Sequence, residues 1–281
     1  MHNYQTDDWP SAPPLSVLIN RAHCIDAFEL LDLLPDNSVD MILTDPPYGV
    51  LYRGLGWDIV TDWSRLWAAV RRVLKPQSAC IVTSVQPFTS YLVNSNLDWF
   101  RQELIWEKES ATGFLNAKLR HMRIHENILV FSSGCTTGGA NNGVPMRYYP
   151  QMRKAEPYGR MSRKGIYKGY GKSERVSSAG SDLRYPTTIV KFGQPNKYSQ
   201  TGVSTHPTEK PVALMEYLIQ TYSTPGDIVL DFFAGSGSTA VAARNLGRQF
   251  IIGEQSLEYV EIARRRLAQP YTPPLAGMAA G

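Results

Sequence analysis

Short apolar runs of three to five residues recur along this chain and alternate with stretches of helical period, which restricts it to one fold class. Met41–Leu43, Ala79–Thr83, Leu104–Trp106, Ile128–Phe131, Ile228–Leu230 and Phe250–Ile252 are too short for helices and apolar enough for strands buried on both faces. Ser16–Asn20 is a further run of this kind. Between the runs, Asp62–Leu74 sets Leu66, Ala69, Val70 and Val73 on one helical face, with Pro76 as its stop. A second helix follows Thr208, carrying Val212, Leu214, Met215, Leu218, Ile219 and Tyr222; Thr239–Leu246 and Leu257–Leu267 are the last two. Strands alternating with helices predict an α/β domain whose mostly parallel sheet has helices on both faces.

The 281 residues suffice for one large domain, or one domain carrying an insert. No stretch approaches the roughly 20 apolar residues of a membrane span. The opening, Met1 to Pro14, is polar and lacks the charged and apolar regions of a signal peptide. Cys24, Cys80 and Cys135 are widely spaced and form no Cys-x-x-Cys pair, which fits a reducing, cytoplasmic setting and predicts no structural metal site.

From Cys135 to Val203 the texture changes. Twelve Lys and Arg face three acidic residues there, a net charge of +9, while the rest of the chain sums to −5. Seven tyrosines fall in the same stretch. A solvated loop has this composition, but the segregation of charge favours a nucleic-acid-binding insert, with cations on phosphates and tyrosines against sugars or bases. Arg153, Lys154, Arg160, Arg163, Lys164, Lys168, Lys172 and Arg175 are the candidate DNA contacts.

Two segments carry chemistry, each directly after an apolar run. In Thr44-Asp45-Pro46-Pro47-Tyr48-Gly49, the paired prolines impose an extended backbone, and Pro47 cannot donate to a strand ladder. Asp45 then stands at the carboxyl end of its strand, where open α/β sheets bind ligands. The Asp45 carboxylate and the Pro46 carbonyl make two acceptors for the two hydrogens of an exocyclic base amine, and Tyr48 offers a face for stacking on an extruded base. The second segment is Asp231-Phe232-Phe233-Ala234-Gly235-Ser236-Gly237-Ser238-Thr239. Its glycines permit a tight turn and close approach of backbone to a nucleoside, and Glu254, at the end of the next strand, is placed to accept from ribose hydroxyls. A glycine turn serving strand–helix packing alone is the plainer reading of this loop, and helix capping that of Glu254.

Together these segments resemble motifs IV and I of the DNA amino-methyltransferases, with the catalytic motif ahead of the cofactor motif as in the β group. The resemblance covers Ser16–Phe131 and Ser204–Leu267. It implies a seven-stranded sheet with one antiparallel strand, circularly permuted, S-adenosylmethionine as cofactor and double-stranded DNA as substrate. It divides the chain into a flexible start (1–14), a catalytic half (15–134), a target-recognition insert (135–203), a cofactor-binding half (204–269) and a flexible tail (270–281). Asp45, Pro46, Pro47 and Tyr48 become the catalytic set. Asp231, Phe233, Gly235, Ser236, Gly237, Ser238, Thr239 and Glu254 become cofactor-binding residues. Asp26 resembles the acid that receives the cofactor's adenine amine, although with Glu29 it also makes a capping box. His206-Pro207-Thr208-Glu209-Lys210-Pro211 resembles the segment against the cofactor's methionine end, where Thr208 would cap a helix and Lys210 would add a positive charge. Arg123-x-His125-Glu126 resembles a further family segment without a chemical assignment. Phe232 and Ser238 stand where the family often has Pro and Thr.

The chemistry implied is direct methyl transfer to a base nitrogen, since methylation at cytosine carbon 5 needs a cysteine nucleophile, commonly in a Pro-Cys pair, and no Pro-Cys occurs here. Asp at the head of the quartet favours adenine N6 over the alternative, cytosine N4. Val50–Ile59 is a candidate cover over the base. Two other classes compete: an NAD-dependent oxidoreductase, which matches Gly235-x-Gly237-x-x-Ala240, and a non-catalytic DNA-binding module, which matches only the insert. A homodimer and a restriction partner are both compatible with the sequence.

Overall fold

The computed structural model describes residues 13–49, 61–137, 143–157, 181–194 and 209–270. The Ser16–Asn20 run forms a helical turn, α1 (Leu15–Leu18), because Leu15, Leu18 and Ile19 share one side and pack on the core. The chain then runs through β1 (Arg21–Cys24), α2 (Ala27–Leu33), β2 (Val39–Thr44), α3 (Trp63–Val73), β3 (Leu74–Ser84) and α4 (Phe88–Ser95). A long hairpin follows, β4 (Phe100–Thr112) and β5 (Arg123–Phe131). Two short strands, β6 (Arg153–Lys154) and β7 (Leu183–Arg184), pair with each other outside the main sheet. The remainder is β8 (Ile189–Lys191), α5 (Val212–Tyr222), β9 (Ile228–Asp231), α6 (Ser238–Asn245), β10 (Gln249–Glu254) and α7 (Leu257–Ala268).

Capping acids start the early helices. Asp26 accepts from the Phe28 N–H at 2.7 Å and Asp62 from the Ser64 N–H at 3.0 Å. The expected helix after Thr208 instead begins at Val212 with Pro211 at its N-cap, and Thr208 itself lies outside the described residues. Pro suits this place because the first N–H groups of a helix have no intrahelical partner.

The main sheet has the order β1-β10-β9-β2-β3-β5-β4-β8. Seven of its strands make the number the resemblance implies, with β5 alone against its neighbours, although the first is Arg21–Cys24 and not the Ser16–Asn20 run; the basic segment adds β8 beside β4 as an eighth. Along β2, Met41 and Leu43 enter the core under α5 and α6, while Ile42 enters the core under α2 and α3. Burial on both faces is what the apolar runs required.

The 135–203 segment is tied to the domain at both described ends. Met146 and Val190 are buried in the core. Arg147 pairs with Asp227 at 2.5 Å and with Asp40 at 3.3 Å, and Asp40 also accepts from the Ile228 N–H. From β2 the chain crosses through α3 to β3, and from β9 through α6 to β10 on the other side. The strand order therefore reverses between the paired strands β2 and β9. A crevice opens at the carboxyl ends of strands that diverge in this way.

Candidate active site

Four acids stand at or just past the carboxyl ends of four adjacent parallel strands: Asp26 after β1, Glu254 on β10, Asp231 on β9 and Asp45 after β2. Their alignment follows from register, since Cys24 pairs with Glu254 and Ile252 with Asp231. The two motifs, 187 residues apart, meet directly: the Thr44 hydroxyl donates to Asp231 Oδ1 at 2.8 Å.

On the β2 side, Asp45 is half-buried and heavily bonded. Its Oδ1 accepts from the Tyr48 phenol and the Thr83 hydroxyl, and its Oδ2 from the Lys210 ammonium at 2.5 Å. An ionised carboxylate has about four acceptor positions. Three are taken, and the remaining one is on Oδ2. Tyr48 stacks on Phe88 with ring centroids 5.6 Å apart. Burial, reinforced by the negative charge of Asp45, pushes its phenol well above the usual range, so Tyr48 is a donor here at all ordinary pH.

Lys210 does not stand alone beside Asp45. Its ammonium also lies 3.4 Å from Glu126 Oε2, and Glu126 Oε1 pairs with Lys108. Burial pulls the Lys210 pKa down, but the two carboxylates outweigh it and the net direction is up. Lys108, Glu126, Lys210 and Asp45 thus form an alternating row of charges running from β4 across β5 to β2. The resemblance sets Lys210 against the methionine end of a cofactor; in the structure its ammonium pairs with Asp45. The sequence marks Glu126 only as part of Arg123-x-His125-Glu126 and does not mark Lys108 or Thr83. Nothing in their local sequence points at partners as distant as 38 residues for Thr83.

On the β9 side, Gly235 and Gly237 both have positive φ, +49° and +81°. They serve different ends. A Cβ on Gly237 would lie 2.8 Å from the Ala263 Cβ, so this glycine lets α6 and α7 pack. A Cβ on Gly235 would meet nothing within 4 Å, so its position opens onto free space. The packing reading therefore accounts for one glycine and not the other. Glu254 is oriented by two backbone donors, the Gly235 N–H at 3.0 Å and the Ser256 N–H at 2.9 Å. Each of its oxygens keeps a further acceptor position. The N-cap of α7 is Ser256, so Glu254 supports that helix start without capping it. Asp26 likewise accepts from the Gln255 side chain while capping α2.

Arg266 of α7 closes the loop from behind. It donates to the Ser236 carbonyl at 2.8 Å and hydroxyl at 2.9 Å, reaches the Ser238 hydroxyl at 3.3 Å, and pairs with Glu209 at 2.7 Å. A last-turn arginine reads in sequence as a complement to the helix dipole, which hid this role. Phe233 donates its N–H to Asp231 Oδ1, and Ser238 and Thr239 open α6 in buried positions. Arg153 and Lys154 are exposed on β6. Arg160, Arg163, Lys164, Lys168, Lys172, Arg175 and the Val50–Ile59 segment lie outside the described residues, as do His206 and Pro207.

Desolvation drives the Asp231 pKa up to about 7, against the lowering effect of its hydroxyl and N–H donors. The native state then holds a proton that the unfolded chain releases near pH 4, so stability falls as pH rises toward and through 7. In Asp231→Asn this loss is absent. Urea unfolding of both proteins is expected to shift their stability difference by about 2 kcal/mol in the variant's favour between pH 5 and pH 8. A difference independent of pH would show that native Asp231 is already ionised at pH 5.

Comparison with known proteins agrees with this geometry. Residues 39–265 match the N6/N4 methyltransferase family model, described as DNA methylase. The chain is 31% identical over 255 residues to the DNA adenine methyltransferase YhdJ of Escherichia coli K12, covering 86% of this chain and 80% of that protein. It is 27% identical over 261 residues to the type II methyltransferase M.HpaI of Haemophilus parainfluenzae, covering 88% and 74%. Among solved structures, the cytosine-N4-specific PvuII DNA methyltransferase superposes with a TM-score of 0.61 at 20% identity, over 87% of this chain and 85% of that one. The complex of M1.HpyAVI with SAM gives 0.53 at 24% identity, over 88% and 98%. A family model spanning most of the chain, joined to a relative aligned over four-fifths of its length, makes this protein a member of the N6/N4 DNA methylases, a DNA amino-methyltransferase.

Proposed function

We propose that the protein transfers a methyl group from S-adenosylmethionine to the N6 nitrogen of an adenine extruded from duplex DNA. The observation that carries the reading is the state of Asp45. Tyr48, Thr83 and Lys210 orient its carboxylate and leave one acceptor position at Oδ2, one residue ahead of Pro46, whose carbonyl is the proposed second acceptor. An exocyclic amine brings two hydrogens to two such acceptors, which turns its nitrogen lone pair away from the ring and toward an incoming methyl. Orientation of this kind is worth several kcal/mol when the donor is already activated. The proton displaced from the newly methylated nitrogen leaves easily, so Asp45 serves as an acceptor that positions rather than as a strong base.

The β9 side fits the cofactor. Free space at Gly235 admits a ligand against backbone, Glu254 presents acceptors for ribose hydroxyls, and Asp26 lies one strand further out for an adenine amine. S-adenosylmethionine, when bound, supplies a methyl group activated by its sulfonium charge. Thr44 and Asp231 join the two sides, so base and donor are held against one rigid seam. Adenine is favoured by the acid at the head of the quartet and by the likeness to YhdJ, whose name states adenine. The basic 135–203 segment, with exposed Arg153 and Lys154, is proposed to read the target sequence.

Expression in a host that makes no DNA methylation of its own, followed by single-molecule sequencing, tests this. N6-methyladenine at one recurring sequence is expected. N4-methylcytosine in its place would transfer the reading to the other base, and unmodified DNA would end it.

A further inference from the structure

We propose that the tip of the β4–β5 hairpin, residues 112–125, enters the DNA duplex beside the extruded base, with Lys118, Arg120 and Arg123 on phosphates and Phe114 and Leu115 pressed against the opened stack. The inference rests on the methyltransferase reading and adds an element outside the 135–203 segment.

Position comes first. Asn127 of β5 pairs with Ser84, the last residue of β3, and Glu126 reaches Lys210 in the site. β5 runs against β3, so Arg123–His125 stand beyond the active-site edge of the sheet, and the tip stands further out. Every residue from Thr112 to His125 is exposed. Phe114, Leu115 and Leu119 are 78%, 96% and 85% exposed. Several large apolar side chains displayed together on one surface mark a contact surface.

The display is built, not frayed. Gly113, at φ +91°, reverses the chain. The Asn116 N–H then donates to the Gly113 carbonyl, the Ala117 N–H to Phe114 and the Arg120 N–H to Asn116, all at 3.0 Å. This single turn secures its own backbone and holds Phe114 and Leu115 outward without help from the core.

Charge identifies the partner. Between Ala111 and His125 there are three Lys or Arg and two His, and no acid. A polyanion complements this face, whereas a second copy would bring the same positive tip. A base turned out of a duplex leaves its neighbours unstacked at a cost of a few kcal/mol, and apolar wedges are the usual means of offsetting that cost.

Two double variants test the inference: Phe114→Ala/Leu115→Ala and Lys118→Glu/Arg120→Glu. Tritiated S-adenosylmethionine and genomic DNA from a methylation-deficient host are the probes. Both variants are expected to bind the cofactor within about twofold of wild type and to melt within about 2 °C of it, since exposed side chains contribute little to stability. The apolar variant should lose roughly tenfold or more in kcat at saturating DNA, and the charge variant a similar factor in KM for DNA. Wild-type kinetics in both variants would overturn the inference. So would a wild-type dimer that the apolar change splits into monomers in sedimentation, because the tip would then be a self-association surface. A wild-type protein that binds no cofactor and methylates no DNA would instead remove the reading beneath it.

Discussion

Asp45→Ala is expected to lower kcat for methyl transfer by about 10²–10³-fold while leaving the affinity for S-adenosylmethionine within about threefold of wild type. The separation follows from the layout. Asp45 touches Tyr48, Thr83 and Lys210 on the β2 side, whereas Gly235, Glu254 and Arg266 form the other side through bonds of their own. Truncation removes the acceptor for the amine, while Tyr48 keeps its bond to Thr83 and its stacking on Phe88, so the base loses its grip but not its stacking partner. Asp45→Asn keeps the shape and an acceptor for the two hydroxyls but replaces the oxygen facing Lys210 with a donor. Its loss should be of the same order. Equilibrium dialysis with labelled cofactor, run beside single-turnover transfer, measures the two effects independently. An equal loss in both would mean that Asp45 belongs to the cofactor side.

Lys210→Met should be the most damaging single change to the fold around the site. It leaves the carboxylates of Asp45 and Glu126 facing each other without the cation between them. Removing one partner from a buried pair costs about 3–5 kcal/mol, because an uncompensated charge stays behind. Transfer should fall by about 10²-fold through misorientation of Asp45. Lys210→Met/Glu126→Gln removes the facing charge but also takes from the buried Lys108 its only named counter-charge, so it should recover part of the stability at most and little of the activity. Urea unfolding and kcat for the two variants decide the matter. Wild-type stability and kcat with a raised KM for S-adenosylmethionine would assign Lys210 to the cofactor's carboxylate, as its sequence context suggested.

The residues legible in the sequence were those whose role is announced by their place at the end of an apolar run. Asp45, Asp231 and Glu254 are of this kind, because a buried parallel strand delivers its next side chain to the edge where ligands bind. The central strands β2, β9 and β10 are legible for the same reason, burial on two faces, whereas the edge strand β1, Arg21–Cys24, carries Arg and His and shows no apolar run. Thr83, Lys108, Glu126 and Arg266 were not legible, because each acts through a partner brought near only by the sheet or by packing of α7. Thr83 sits inside a strand and reads as an ordinary β-former. Glu126 and Lys108 look like outward residues of a hairpin, and only the burial of both reveals the row. β8 escaped because three residues carry no measurable period. The start of α5 was misplaced toward Thr208 because a hydroxyl ahead of an apolar face is the commoner cap, while Pro211 fills that position here.

The same small strand limits how the chain can change. Ile105, Trp106 and Glu107 of β4 pair with Ile189, Val190 and Lys191, so the basic segment covers an edge that would otherwise offer open backbone groups to any passing chain. Val190 is sealed into the core, and the Trp106 indole donates to the Phe192 carbonyl at 2.9 Å. The segment proposed to read the target sequence is therefore tethered by an architectural duty. Grafting a relative's segment onto this chain would preserve the fold only where the graft brings its own edge strand.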